Sequence, residues 1–331
     1  MRLPSKASGL IGVLLLSAVC AGCTLSRDFA RYHLQRGESA LSSRNLDAAL
    51  AELRQAVRLD PQFAAAHGKL GLVLKEQGHL EQAAESLETA VRLDPFDFPA
   101  LFELGEVYRL LDRMAQAIRA YVLAVKLQPK DFETRFRLAS CYHQSGELAR
   151  ATGEYEAALK LDPRSAFAWS NLGAAYDAQG ASYEAIRAYK RSLECNSAQP
   201  IVLVNLATVY LNQERFETAR QTLENAIEMS PGLSIAHERL GYCHWREGRL
   251  EAAATSYQKA IELNDKNARA LAGLGVVRMT QYLNDPGRVA LRDQAVEAWH
   301  RSLEVDPQQP KLQALIEKYR VRHEPPTLSI E

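Results

Sequence analysis

Residues able to do chemistry are few in this chain and widely separated. Cys20 and Cys23 form a C-x-x-C pair within LLLSAVCAGCTL, a spacing that serves dithiol redox couples and zinc half-sites. A redox pair of that kind needs a βαβ frame, and the flanking sequence supplies none. His237 and His244 lie seven apart on one predicted helix, with no third ligand at a zinc-binding spacing. No phosphate-binding glycine loop, G-x-S-x-G or H-E-x-x-H occurs. With 40 basic and 40 acidic residues the formal charge is zero, so no basic excess points to nucleic acid. The expectation is a non-enzymatic protein with no metal, cofactor, small-molecule substrate or nucleic-acid partner.

The C-x-x-C pair is explained by its position. Residues 1–9 carry Arg2 and Lys6 and no acid, and Leu10–Val19 is an apolar run. That run suits a signal-peptide core and falls short of the about 20 residues that span a bilayer. Ala21 and Gly22, both small, precede Cys23. The pattern resembles a bacterial lipoprotein signal, although Cys20 stands where such signals usually carry Leu. The resemblance implies cleavage after residue 22 and lipid on Cys23. An ordinary secretory signal and an uncleaved anchor are the alternatives. Lipid chains hold because each buried CH₂ contributes about 0.8 kcal/mol. Thr24, rather than Asp, implies the periplasmic face of the outer membrane in a Gram-negative cell. Residues 23–29 would then be a short linker.

What remains is periodic. Proline recurs at Pro61, Pro95, Pro129 and Pro163, every 34 residues, and returns in phase at Pro231. Ala49, Ala83, Ala117, Ala151, Ala185, Ala219 and Ala253 keep the same period, as does a small-residue track that includes Gly37, Gly71, Gly105 and Gly173. A further track runs Ala56, Ala90, Ala124, Ala158, Ser192, Ala226, Ala260. WSNLGAAYDAQG (169–180) and EAIRAYKRSLE (184–194) show the two halves of one unit. The pattern resembles the tetratricopeptide repeat family. It implies an all-α, right-handed α-solenoid of eight helix pairs, A and B, over 30–307. Small residues would let A and B approach, proline would end helix B, and glycines such as Gly78 and Gly146 would make the A–B turns. The eighth unit is eight residues out of phase, which predicts longer helices around an insertion near 281–294. Leu312, Leu315, Ile316 and Tyr319 follow helical spacing and predict a capping helix over 308–322. Residues 323–331 read as a flexible tail.

This register places the remaining chemical residues. Cys141, Cys195 and Cys243 fall in apolar columns and are expected as buried small hydrophobes. His33, His67 and His237 share the column of Trp169 and are expected to pack. By the family resemblance, helix A lines a concave groove. One groove column reads Gln35, Lys69, Glu103, Arg137, Asn171, Asn205, Arg239, Gly273. Asn171 and Asn205 each offer a carbonyl and an NH₂ to a peptide backbone. Arg137 and Arg239 suit carboxylates. Phe102, Phe136, Phe167, Tyr242 and Trp245 are aromatic anchor candidates, with packing between A helices as the alternative. The carboxylate clamp of chaperone-binding relatives is not matched by Phe102, Glu106, Phe136 and Ser140. The expected role is an envelope scaffold that binds an extended peptide or helix of another protein, membrane-held through its N-terminal lipid. The alternative is a subunit of a larger enzyme, secretion or pilus complex, using the convex face or the insertion.

Overall fold

The structure, a computed structural model, describes residues 26–319. The signal-like segment, Cys23 and the tail from 323 lie outside them. The described residues form helices joined by short turns, in two compact units divided after Pro163. The first unit contains α1 (26–42), α2 (Leu46–Leu59), α3 (Ala64–Glu76), α4 (Leu80–Leu93), α5 (Phe98–Leu110), α6 (Met114–Leu127), α7 (Phe132–Gln144) and α8 (Leu148–Leu161). The second contains α9 (Ala166–Ala178), α10 (Ser182–Cys195), α11 (Pro200–Asn212), α12 (Phe216–Met229), α13 (Ser234–Arg246), α14 (Leu250–Leu263), α15 (Ala268–Asn284), α16 (Val289–Val305) and α17 (Pro310–Tyr319). Odd-numbered helices up to α15 are A helices, and the even-numbered ones are B helices.

Local chemistry sets the ends. Asp97, Asp131, Ser165 and Asn267 cap A helices, each side chain accepting a hydrogen bond from the amide three residues on. The A–B turns need a left-handed residue. Gly78, Gly146, Gly180 and Gly248 adopt it, but Arg44, Asp112 and Glu214 hold it at φ 57–58°. The turn after helix B has its own device. The carbonyls of Pro61, Pro129 and Pro231 accept hydrogen bonds from the side chain six residues on: His67 (3.1 Å), Arg135 (2.8 Å) and His237 (3.1 Å). These column residues therefore tie down a turn instead of packing in the core.

Burial is concentrated in the seam between A and B. Helix A comes so close that a Cβ on Gly105 would sit 2.6 Å from the Tyr121 ring, and one on Gly275 would sit 2.3 Å from the Trp299 indole. The tracks of alanine are fully buried for the same reason. Cys141 and Cys243 are buried within these columns, and burial pushes their thiols up to about 11 and about 12. Cys195 is a correction to the sequence reading: it is exposed. It ends α10, and its column ends every B helix, where Leu161 and Leu263 are exposed as well.

The first and last described repeats depart from the others. Tyr32 occupies a column that holds fully or nearly fully buried Ala66, Ala100 and Thr134 further along the first unit. Among the described residues no earlier B helix covers it, and it is 53% exposed, with Arg36 lying over its ring and paired to Glu52 at 3.0 Å. In the eighth pair, α15 has four more residues than α5, and α16 three more than α6, around a turn at 285–288. Helix α17 buries Leu312 and Ile316 against Met279 and Trp299. Among the described residues it is an A helix without a B partner: Gln309 caps α16 as Gln199 caps α10, through the Ser302 and Ser192 carbonyls. In that register exposed Glu317 stands where Ala207 admits helix B.

Candidate functional site

Helix A residues four and seven apart share a face, so the groove columns can be followed in each unit by itself. In the first unit that face is largely satisfied from within. Lys69 of α3 pairs with Glu38 of α1 at 3.4 Å, and Lys75 of α3 pairs with Glu103 of α5. Arg137 of α7 meets Glu133 at 2.7 Å and Glu106 of α5 at 3.4 Å. Glu106 also accepts hydrogen bonds from Arg109 (2.8 Å) and from the Tyr121 hydroxyl. Burial opposes its charge, but these bonds and the two guanidiniums outweigh it and hold the carboxyl below its ordinary value. Each neighbouring pair of A helices in this unit is thus linked by an ion pair.

The aromatic candidates here turn toward the protein. Phe102 meets the Tyr121 ring at 5.9 Å, and Phe136 meets Tyr155 at 5.7 Å while stacking on Phe132 at 6.0 Å. Gly68 holds the same column one repeat earlier. There the space between α3 and α5 remains open as a cavity of about 190 Å³, lined by Ala65, Leu72 and Pro99 among others.

The second unit presents a different face. Phe167 of α9 is 75% exposed. Its column continues as Ile201 of α11 and Ile235 of α13, 53% and 42% exposed, and then Arg269 of α15, also exposed. One turn further along each helix stand Asn171, Asn205 and Arg239. The Asn171 NH₂ donates to the Phe167 carbonyl at 2.9 Å, and its own side-chain oxygen accepts no hydrogen bond among the described residues. Asn205 has no side-chain hydrogen bond among the described residues, and Arg269 no ion pair. Arg239 lies 3.4 Å from Glu238, the buried residue in the column of Phe102 and Phe136. Burial raises the Glu238 carboxyl above its ordinary value, against the pull of Arg239 and Arg269. Gly273 follows Arg239 in its column because a Cβ there would sit 2.4 Å from the Tyr257 ring. Tyr242 and Trp245, 5.8 Å apart, pack against the core of this unit. Arg246 donates to the Tyr242 hydroxyl at 2.9 Å and lies over Phe216.

Ile201 and Ile235 were not among the sequence candidates. The signal was available: they repeat Phe167 at the period of the chain. Isoleucine, however, reads as core unless the exposure of its column is known. Among the described residues no group of three His, Cys, Asp or Glu is placed to hold a metal.

The comparisons agree with this architecture. The family model described as tetratricopeptide repeat matches residues 69–132 and 204–268, and a second, described as TPR repeat, matches 42–78 and 139–180. The chain carries tetratricopeptide repeats and has the all-α solenoid fold of that family. Among solved structures it is similar to a tetratricopeptide repeat protein from Parabacteroides merdae, with TM-score 0.61, 18% identity, and coverage of 77% of this chain and 98% of that one. It is also similar to the C-terminal part of a TPR repeat-containing protein from Cytophaga hutchinsonii, with TM-score 0.60, 16% identity, and coverage of 75% and 98%. A third likeness is to the APC/C hetero-tetramer Cut9–Hcn1, with TM-score 0.57, 17% identity, and coverage of 83% of this chain and 53% of that one. At these identities the likeness is one of fold. No curated protein matches the sequence.

Proposed function

We propose that this protein is a non-enzymatic interaction scaffold of a bacterial cell envelope, anchored by lipid on Cys23, and that the A-helix face of residues 164–331 holds a segment of a partner protein. The observation that carries the docking surface is the exposed apolar column Phe167, Ile201, Ile235 beside the amides of Asn171 and Asn205. Three exposed apolar residues in register on successive helices leave water-facing apolar area that a partner would cover. The amides beside them can hydrogen-bond a backbone of any sequence. The first unit offers less, since its groove charges already pair with one another.

The test of docking compares envelope proteins captured by the full chain and by a Phe167→Ser, Ile201→Ser, Ile235→Ser variant with unchanged circular dichroism. Selective loss of the captured set supports the reading, and identical capture refutes it. The anchor is tested by intact mass of the membrane-extracted protein. A mature chain that begins at Cys23 with added acyl mass supports it, and a chain that retains Met1 refutes it.

A second reading rests on the eighth pair, where Leu283 and Val289 are exposed on either side of the 285–288 turn. There the insertion would join a larger complex. Shortening 281–294 to the ordinary turn while the fold persists would abolish assembly under this reading and leave it intact under the first.

A further inference from the structure

Helix A of one repeat and helix A of the next are neighbours within residues 164–331, and packed helices lie about 8–10 Å apart. Side chains at one register on α9, α11, α13 and α15, which are in contact in that order, should then form a row at about that spacing. The row is Phe167, Ile201, Ile235, Arg269, apolar for three positions and cationic at the fourth. Parallel to it runs Asn171, Asn205, Arg239. Around its last position two guanidiniums, Arg239 and Arg269, stand against one buried carboxylate, Glu238, whose own charge burial disfavours.

A ligand along this row must present a side chain to the same side every 8–10 Å. A β-strand does not: two residues cover about 6.6 Å, and the third residue points to the opposite face. A polyproline II helix does, since three residues complete one turn and rise about 9.3 Å. An α-helix could match by placing contacts seven residues apart, about 10.5 Å. Its backbone, however, is hydrogen-bonded internally and leaves the amide row without a partner. A polyproline II backbone has free N–H and C=O groups, which is what the Asn205 amide and the unbonded Asn171 side-chain oxygen can take.

We propose that the partner segment is an extended, polyproline II-like stretch of about ten residues, apolar at every third position and ending in a carboxylate that lies against Arg269 and Arg239. This rests on the docking face proposed above and names the ligand chemistry that fits it.

The test uses the full chain and fluorescein-labelled synthetic peptides, read by fluorescence anisotropy. The probe is Leu-Pro-Pro-Leu-Pro-Pro-Leu-Pro-Pro-Asp amide. Comparison peptides replace Asp by Lys, replace each Leu by Ala, or present leucines seven apart on an alanine-rich helix. The Asp peptide should bind, and the Lys and Ala peptides should bind at least roughly tenfold more weakly, as expected for loss of a charge-assisted contact or of the apolar anchors. Arg269→Glu should reverse the preference between Asp and Lys. Since Arg269 is exposed and without an ion pair, that variant should fold. Tighter binding of the helical peptide, equal binding of the Asp and Lys peptides, or no binding of any peptide overturns the inference. If no peptide binds but the Phe167, Ile201, Ile235 variant still loses its envelope partners, the ligand chemistry is wrong and the docking face stands. If that variant loses nothing, both readings fall.

Discussion

Substitution of Gly275 by Ala probes the seam that holds each A helix to its B helix. A Cβ at 275 would lie 2.3 Å from the Trp299 Nε1 and 2.9 Å from the Ala295 carbonyl oxygen. The indole is 1% exposed, and its N–H donates to the Ala272 carbonyl at 3.2 Å. The added methyl must move the ring off that acceptor, and the backbone oxygen behind it blocks an easy shift. Overpacking costs about 1–3 kcal/mol, and stranding the buried indole donor costs about another 1–3 kcal/mol. Alanine returns about 1 kcal/mol of helix propensity. The net loss is roughly 3 kcal/mol. Because contacts in a repeat array are between neighbours, the loss should be local. Hydrogen exchange over 268–319 should accelerate, with 26–163 unchanged, and urea unfolding followed by Trp fluorescence should show an earlier transition. In a Trp299→Leu background the same alanine should cost much less, since the clash is with the indole. A Gly275→Ala chain within about 0.5 kcal/mol of the parent, with unchanged exchange, would refute the seam argument. Ala139 and Ala207 stand buried in the same column, so a methyl is tolerated where the pair was built around one.

Three other outcomes follow from particular residues. Asp112→Gly should stabilise by roughly 0.5–1 kcal/mol, because relief of the left-handed strain exceeds the added chain entropy, whereas Gly146→Ala should lose about 1 kcal/mol; chemical denaturation reads both. Glu106 and Glu238 should give opposite pH dependences in denaturation series. The lowered carboxyl of Glu106 contributes stability that is present above its ordinary value of 4.5 and is lost as the pH falls through its folded value, so Glu106→Gln should remove that acid-side loss. The raised carboxyl of Glu238 costs stability as the pH climbs from 4.5 through its folded value, so Glu238→Gln should stabilise at pH 7 and do little below 4.5. An alkylating reagent should modify exposed Cys195 in the native protein, while Cys141 and Cys243 react only on unfolding, as peptide mass mapping would show.

The helix pairs, their seams and their turns were legible in the sequence because each is a contact between residues at fixed offsets in one repeat. Glycine at 105 or 275 and alanine at 49 or 83 recur because every seam needs the same close approach. The eighth pair could be placed for the same reason, since Ala295, Trp299 and Ser302 keep the internal spacing of a B helix although the phase has slipped. Periodicity left open which side of a column faces water and which charges are already paired. Cys195 sits in a leucine column, yet helix ends in that column are half-covered or open. Arg137 and Arg239 share a column, but Arg137 meets Glu133 and Glu106 whereas Arg239 faces one buried carboxylate. Phe102 and Phe167 are both phenylalanines three positions apart in the repeat; one lies on Tyr121 and the other stands in solvent. A repeat determines its own packing from its own residues. The state of its outer face depends on side chains of the next repeat, which vary from one copy to another, and only their placement in space shows which of them meet.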